Sequence, residues 1–437
     1  MTEARGGMTV QRESRRVSRW LLAILFATVF EGAFRKWILP DYLHPLAYAT
    51  KDVLVILFVL HFAIPRQQRA LLQYRRTVGA IAVLLLPGLA IGIIKSPISA
   101  ILVFKNAVLW PLFAISMAAW VDCVVLNKMT RAVAIICIMM AVLAAVQFAS
   151  PSNSLINRYA WDEAGLKTIH SGFIGLPNVR ATGTFSYISG LATFGAMAFC
   201  WLVWQISLAR RRRPLWTVGS VAALLCILTS GSRGPLIIAV LGLLAAILVT
   251  ARRRVRITAL VIMFLIGVVA TFSAAITQAY LSRIESAGDN PLERILGSGV
   301  AFLAPLAEHP IGVGLGQETP AEAFRRVKAG EITSASFIED GRTRVAIEGG
   351  VPALAAHALT VVLLFHMIAR AWRTKEPGNR IGTAVFAPAL IYLLSNSLWF
   401  DHNGSAMWWI AIGSWLGLTV GARYILVRTL VRGPQAA

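Results

Sequence analysis

Residues 226–249 read CILTSGSRGPLIIAVLGLLAAILV, two apolar arms joined by Ser230, Gly231, Ser232 and Arg233. Crossing the hydrocarbon core of a bilayer takes roughly 20 mostly apolar residues. The arms lie inside two such runs, near 214–231 and 234–250. Backbone polar groups in lipid must be satisfied within the segment, so continuous apolar runs of this kind are helices and not barrel strands. The stretch therefore predicts a helical hairpin in a membrane, with its polar turn at the surface.

The rest of the chain repeats this pattern. Of 437 residues 57% are hydrophobic and 14% charged, with a mean hydropathy of +0.68, a composition too apolar for an ordinary water-soluble domain. Apolar runs recur near 17–34, 47–64, 78–95, 98–121, 131–149, 184–208, 214–231, 234–250, 257–278, 345–368, 381–399 and 404–427. The expected fold is all-α, a polytopic transmembrane helical bundle of about 12 spans with a long periplasmic loop carrying short helices. It divides into N-terminal membrane helices over 1–278, the loop over 279–344 and C-terminal membrane helices over 345–437. The first run leads into EGAFRKWILP (31–40) and not into a small-residue cleavage site, so it reads as the first span.

Charge orients the bundle. Most of the 42 Lys and Arg fall in alternate connections: the N-terminal tail (Arg5 to Arg19), 66–76, 128–131, 210–213, 252–256, 370–380, and Arg423, Arg428 and Arg432. Positive-inside reasoning then places both termini in the cytoplasm. Arginines beside anionic lipid account for much of the net charge of +22, and no nucleic-acid partner is implied. Cys123, Cys137, Cys200 and Cys226 lie in or beside the runs without metal-type spacing, and read as core or end residues.

The opposite face receives the two long connections, 150–183 and 279–344. The second is too long for a passive link, and NPLERILGSGVAFLAPLAEHPIGVGLG (290–316) has helical apolar spacing followed by a Gly-rich turn. That face also collects Arg180, Arg233, Arg283, Arg294, Arg325, Arg326, Arg342 and Arg344. Guanidinium suits bidentate phosphate contacts; the plain alternative is that each snorkels to lipid headgroups. Arg233 stands out, because the small residues of SGSRG allow a ligand close to the backbone and Ser230 and Ser232 add hydroxyls.

Four elements in order carry a resemblance: RATGTF (180–185), TSGSRG (229–234), EHPIGVGLG (308–316) and EGGVPAL (348–354). Together they resemble the bacterial O-antigen polymerase and O-antigen ligase superfamily over roughly residues 180–365; the N-terminal third is similar in hydropathy and topology alone. The resemblance implies a polytopic glycosyltransferase of the bacterial inner membrane that uses undecaprenyl-pyrophosphate-linked glycan on the periplasmic face. It further implies that Arg180 and Arg233 bind the donor pyrophosphate and that the long loop closes over the site; Arg342 and Arg344, at the end of that loop, are candidates to assist. No cofactor is expected, since guanidinium groups can stabilise the departing diphosphate and the outer face lacks a dense Asp cluster for a divalent cation. Metal ligands are accordingly expected to be none. Membrane lipids and other polysaccharide-export or chain-length proteins are the further partners implied.

In one respect the chain departs from the pattern. Ligases of that superfamily carry a His-Asn pair upstream of the Glu-Gly element, at a spacing that here falls on Glu339, followed by Asp340, in SFIEDGRTRVAIEGG (336–350). A polymerase fits this better than a ligase transferring to a lipid or protein acceptor. Glu339 or Asp340 is the candidate base, with Glu348 orienting an arginine; solvated loop acids are the bland alternative. His309 and His402 are further candidates, His309 reading more simply as a local hydrogen-bonding turn residue and His402 lying in FDHNGS (400–405), away from the family's position. Charged groups at membrane depth are suspects in their own right: Glu31 with Arg35 and Lys36, Lys51 with Asp52, and Lys105 with Asn106. Lys51 and Asp52 are expected either to neutralise each other or to bond with FRKW (34–37) at the outer end of the first helical pair, and Trp37, Trp110, Trp399, Trp408 and Trp409 to be interfacial anchors. A secondary transporter is the rival class, against which stand the absence of a half-to-half repeat and the off-centre long loop.

Overall fold

The computed structural model describes residues 2–62, 68–158, 179–209, 213–250, 303–319, 341–374, 376–395 and 402–420, together with 64, 322, 326, 329 and 330. Its described residues form helices and short turns, without a β-strand. The helices are α1 (Thr2–Ala33), α2 (His44–His61), α3 (Arg69–Lys95), α4 (Pro97–Ala118), α5 (Cys123–Ala149) and α6 (Ile188–Leu208). After these come α7 (Pro214–Ser230), α8 (Arg233–Val249), α9 (Leu303–Glu308), α10 (Gly341–Arg373), α11 (Pro377–Ser395) and α12 (His402–Val420).

Six of these segments are long and apolar enough to cross a membrane: Arg12–Ile38, α3, α4, α5, α6 and α10. The hairpin arms α7 and α8 are apolar but shorter. A helical membrane bundle is thus what this sequence forms. The apolar runs other than 257–278, which lies outside the described residues, each contain a helix.

Local chemistry sets the helix ends. Pro97 and Pro214 occupy the first turn of α4 and α7, where a missing N–H costs nothing. The Asp122 side chain accepts from the Val125 N–H at 2.8 Å and caps α5. Gly231, with φ 65°, closes α7 in the left-handed conformation that an L side chain resists. Some buried hydroxyls bond the preceding turn, as Thr28 does on Ile24 O at 2.8 Å and Thr130 on Leu126 O at 2.7 Å.

Packing is organised about α6, which is buried along most of its length and touches α5, α7, α8, α11 and α12. Helices approach closely where one of them has no side chain: Gly219 of α7 abuts Ala134 of α5, and Gly195 of α6 abuts Ala223 and Ile227 of α7. Trp201, Trp204, Trp408 and Trp409 fill the space around it. The expectation that Trp110, Trp408 and Trp409 anchor at the interface is therefore wrong, since all three are core residues. They sit on helix faces turned to neighbouring helices, which periodicity in a uniformly apolar run does not reveal. Trp37 is half-buried and donates to Leu155 O at 3.1 Å. Cys137, Cys200 and Cys226 are buried thiols and Cys123 is exposed.

Contacts at the two ends give the helix directions. At one end the side chain of Ser14 bonds that of Asp122, Gln68 Nε2 reaches Ala119 O, and Trp204 Nε1 donates to Gly378 O at 3.1 Å. At the other, Lys36 meets Thr182, Arg180 meets Ser230, Gln147 meets Gly183 and Lys95 meets Val313. The described basic residues Arg69, Arg75, Arg76, Arg213, Arg370, Arg373 and Arg380 belong to the first end, while Arg180, Arg233, Arg342 and Arg344 belong to the second, called here the arginine end.

Candidate functional site

The hairpin turn is built as a small cradle. With Gly231 in its left-handed conformation, Ser232 becomes the residue before α8 and Arg233 the first residue of that helix, so Arg233 stands at a helix start and not in a free loop. The strand-like segment after Val179 lies against it. Ala181 N donates to Thr229 O at 3.0 Å, Arg180 Nε to Ser230 O at 2.8 Å, and Arg180 Nη2 to Ser232 Oγ at 3.3 Å. Arg180 and Arg233 thus meet on one turn, both half-buried. The positive end of the α8 dipole adds to their field.

Gln147 holds the far side of that segment. In the apolar helix α5 its Oε1 accepts from Thr182 N at 3.1 Å and Gly183 N at 2.7 Å, while Nε2 donates to Gly183 O at 3.1 Å and Ile156 O at 2.9 Å. Sequence reasoning missed it; the available signal was one amide inside AVLAAVQFA (141–149).

A second construction surrounds the Gly-rich turn. Residues 309–316 pass between α3 and α10 as an extended strap: Val313 N and Gly314 N donate to Ile347 O at 2.8 Å and Glu348 O at 2.9 Å, and Leu315 N donates to Gly88 O at 2.9 Å. Helix α10 is broken there, with Gly350 at φ 60°, ψ −152°, which lets Val351 N reach Pro310 O at 2.8 Å. A Cβ on Gly350 would collide with Pro310 O, and one on Gly316 with the backbone at Ser99. The glycines of EHPIGVGLG and EGGVPAL are needed because three backbones meet at this place.

Glu348 locks the strap. Its carboxylate is fully buried and accepts from Gly316 N at 2.7 Å, Glu318 N at 3.0 Å and Arg344 Nε at 3.0 Å. Glu348 thus pairs with an arginine, and its bonds to two backbone amides make it a brace of the strap. Arg344 is buried, so of the two arginines on the first turn of α10 Arg342, half-buried, is the more open. The loop boundary expected at 344/345 moves, as α10 already begins at Gly341.

His309 is exposed, and its carbonyl accepts from Gly312 N at 2.9 Å, as expected of a turn residue. His402 opens α12. Glu339 and Asp340 lie outside the described residues. Among the described residues no three His, Cys, Asp or Glu side chains gather as a metal site.

The charged residues at membrane depth come together at the same end: Glu31 pairs with Arg35 as grouped from the sequence, whereas Lys51 and Asp52 pair with other residues and not with each other. Glu31 bonds both Arg35, at 2.9 Å, and Lys51, while Asp52 pairs with Lys105 of α4 at 2.5 Å. Lys51 and Asp52 are neighbours in sequence but point to different partners, because successive residues of a helix do not share a face. No protein-family model matches the chain, and no curated protein matches it.

Proposed function

We propose that this chain is a bacterial inner-membrane glycosyltransferase that polymerises glycan repeat units carried on undecaprenyl pyrophosphate, acting at the arginine end on the periplasmic face. The observation that carries the reading is the turn at 229–233, where Arg180 is bonded to Ser230 and Ser232 beside Arg233 at the start of α8. A diphosphate is the anion such a pair suits, because two planar guanidinium forks can each grip non-bridging oxygens.

The reaction this supports is a single displacement. The acceptor hydroxyl oxygen forms a bond to the anomeric carbon of the donor as the anomeric carbon–oxygen bond to the diphosphate breaks. The hydroxyl proton passes to a base, for which Glu339 or Asp340 remains the proposal, and the lipid diphosphate leaves with the electron pair. Negative charge grows on the leaving group through the transition state, so Arg233, with Arg180 and Arg342 as auxiliaries, stabilises the transition state more than the ground state. Arg344 and Glu348 would act by holding the strap at 309–316. The ligase reading differs in the acceptor alone, and the carboxylate pair at 339–340 in place of a His-Asn pair favours polymerisation.

A deletion strain decides between the readings. Loss of the protein is expected to leave single repeat units on the lipid carrier; accumulation of long, unattached polymer would make it a ligase, and unchanged polymer with altered solute uptake a transporter. The orientation proposed, with both termini cytoplasmic, rests on the alternation of basic connections. Reporter fusions after Arg213 and Arg254 should read cytoplasmic and those at Asn178 and Asp289 periplasmic. A cytoplasmic signal at Asp289 would remove the periplasmic site.

A further inference from the structure

Beside the turn that carries Arg233, the arginine end holds a second gathering of cations, assembled from α1, α2 and α4 and the segment at 182–186. Beyond its last α-helical turn α1 continues as a wider turn over Phe34–Ile38, which brings Arg35 and Lys36 inward together. Both are buried, Lys36 to 1% exposure. Around the half-buried ring of Tyr48 stand Lys51 at 4.7 Å, Arg35 at 5.3 Å and Lys105 at 5.5 Å from its centroid. Glu31 pairs with Arg35 and Lys51, and Asp52 pairs with Lys105.

Lys36 has a different environment. Its Nζ donates to Thr182 Oγ1 at 2.6 Å and to Gly183 O at 3.1 Å, and it lies 5.6 Å from the centroid of the Trp37 ring. These are all neutral groups. A buried ammonium beside a guanidinium carries a large desolvation cost that hydroxyl and carbonyl dipoles offset in part, and an anion offsets far better. An ionisable group at this depth is a functional-site candidate by default.

We propose that Lys36, Arg35, Lys51 and Lys105 form a binding site for a phosphate-class dianion, separate from the Arg233 turn and bordered by Thr182 and Tyr48. Glu31 and Asp52 fix the directions of the paired cations, while Lys36 supplies the charge that the protein leaves for the ligand. The site reaches the surface at Tyr48 and at Lys105, whose side chain is 14% exposed. A diphosphate fits the number of donors; the same chemistry is offered by a free diphosphate and by an anionic lipid headgroup.

The test uses the full chain in phosphatidylcholine nanodiscs, in an Arg233→Ala background that removes the other proposed anion contact. Inorganic pyrophosphate is titrated calorimetrically at low salt. Binding is expected in this background, and adding Lys36→Gln should weaken it by about tenfold or more, as loss of a hydrogen bond to a charged group does. If Lys36→Gln is not recovered as a monodisperse protein, Lys105→Gln, at the more open edge, should show the same loss. Discs doped with phosphatidic acid, whose phosphomonoester can carry a second charge, identify the source: competition with pyrophosphate assigns the site to a lipid headgroup, and its absence to a free or lipid-linked diphosphate. No binding in the Arg233→Ala background, or equal affinity in the recovered lysine variants, overturns the proposal. Repeat-unit polymerisation by an Arg233 variant tests the transferase reading separately, so the two can fail independently.

Discussion

Arg233→Ala is expected to lower glycan polymerisation by about a hundredfold or more, the scale seen when one preorganised donor to a developing anion is removed. Arg233→Lys should fail nearly as badly, because an ammonium supplies the charge without the planar fork that grips two oxygens at once. Both variants should reach the membrane in normal amounts. Arg233 begins a helix at the surface of the bundle and is half-buried, so its truncation opens no core cavity. The measurement is the length distribution of lipid-linked glycan in a complemented deletion strain, normalised to membrane protein. Polymer of normal length and amount from Arg233→Ala would return this residue to the arginines that merely reach for headgroups, and the proposed site would lose its centre.

The largest effect on stability is expected at Glu348. Its carboxylate is buried with Arg344 and accepts from two backbone amides of the strap, Gly316 N and Glu318 N. Glu348→Ala leaves a buried guanidinium without its carboxylate, a change that costs about 3–5 kcal/mol in comparable buried pairs, and leaves both amides without their acceptor. The purified protein should melt at a clearly lower temperature and become open to proteolysis within 309–319. Substituting the pair together, as Arg344→Met with Glu348→Leu, should recover part of the loss, since the uncompensated charge disappears while the two amides stay unsatisfied. A melting temperature for Glu348→Ala equal to that of the wild type would show that the strap is held by its backbone bonds to α3 and α10 alone.

Several features of the fold were legible in the order of residues. The apolar runs mark where helices form, because lipid leaves the backbone no other partner. Pro97, Pro214, Asp122 and Gly231 mark helix ends through local steric and hydrogen-bonding rules. The glycines at 312–316 were legible as a turn, but not the backbones of α3 and α10 that pack against it. Placing Arg180 and Arg233 together required only the reading that both belong to the same end of the bundle.

Other features were not legible, for reasons particular to each residue. Trp110, Trp408 and Trp409 were read as interfacial because tryptophan favours that zone, yet all three are buried; in a helix apolar on every side, only its neighbours decide which face is inside. For Lys51 and Asp52 the sequence left open a mutual pair or partners near FRKW (34–37); the 100° step of a helix turns one toward Glu31 of α1 and the other toward Lys105 of α4. Gln147 gave no sign of its work, as its partners Thr182 and Gly183 arrive from a distant part of the chain.

The sequence by itself determined that this protein is a helical membrane protein and which connections carry its basic charge, since burial of backbone in lipid and the solvation of arginine depend on composition over short windows. Tertiary structure alone decided that Glu348 braces the Gly-rich strap and that four cations from three helices share one buried neighbourhood. Such pairings depend on the rotation and direction of each helix against its neighbours, and those are set by side-chain packing among segments far apart in the chain.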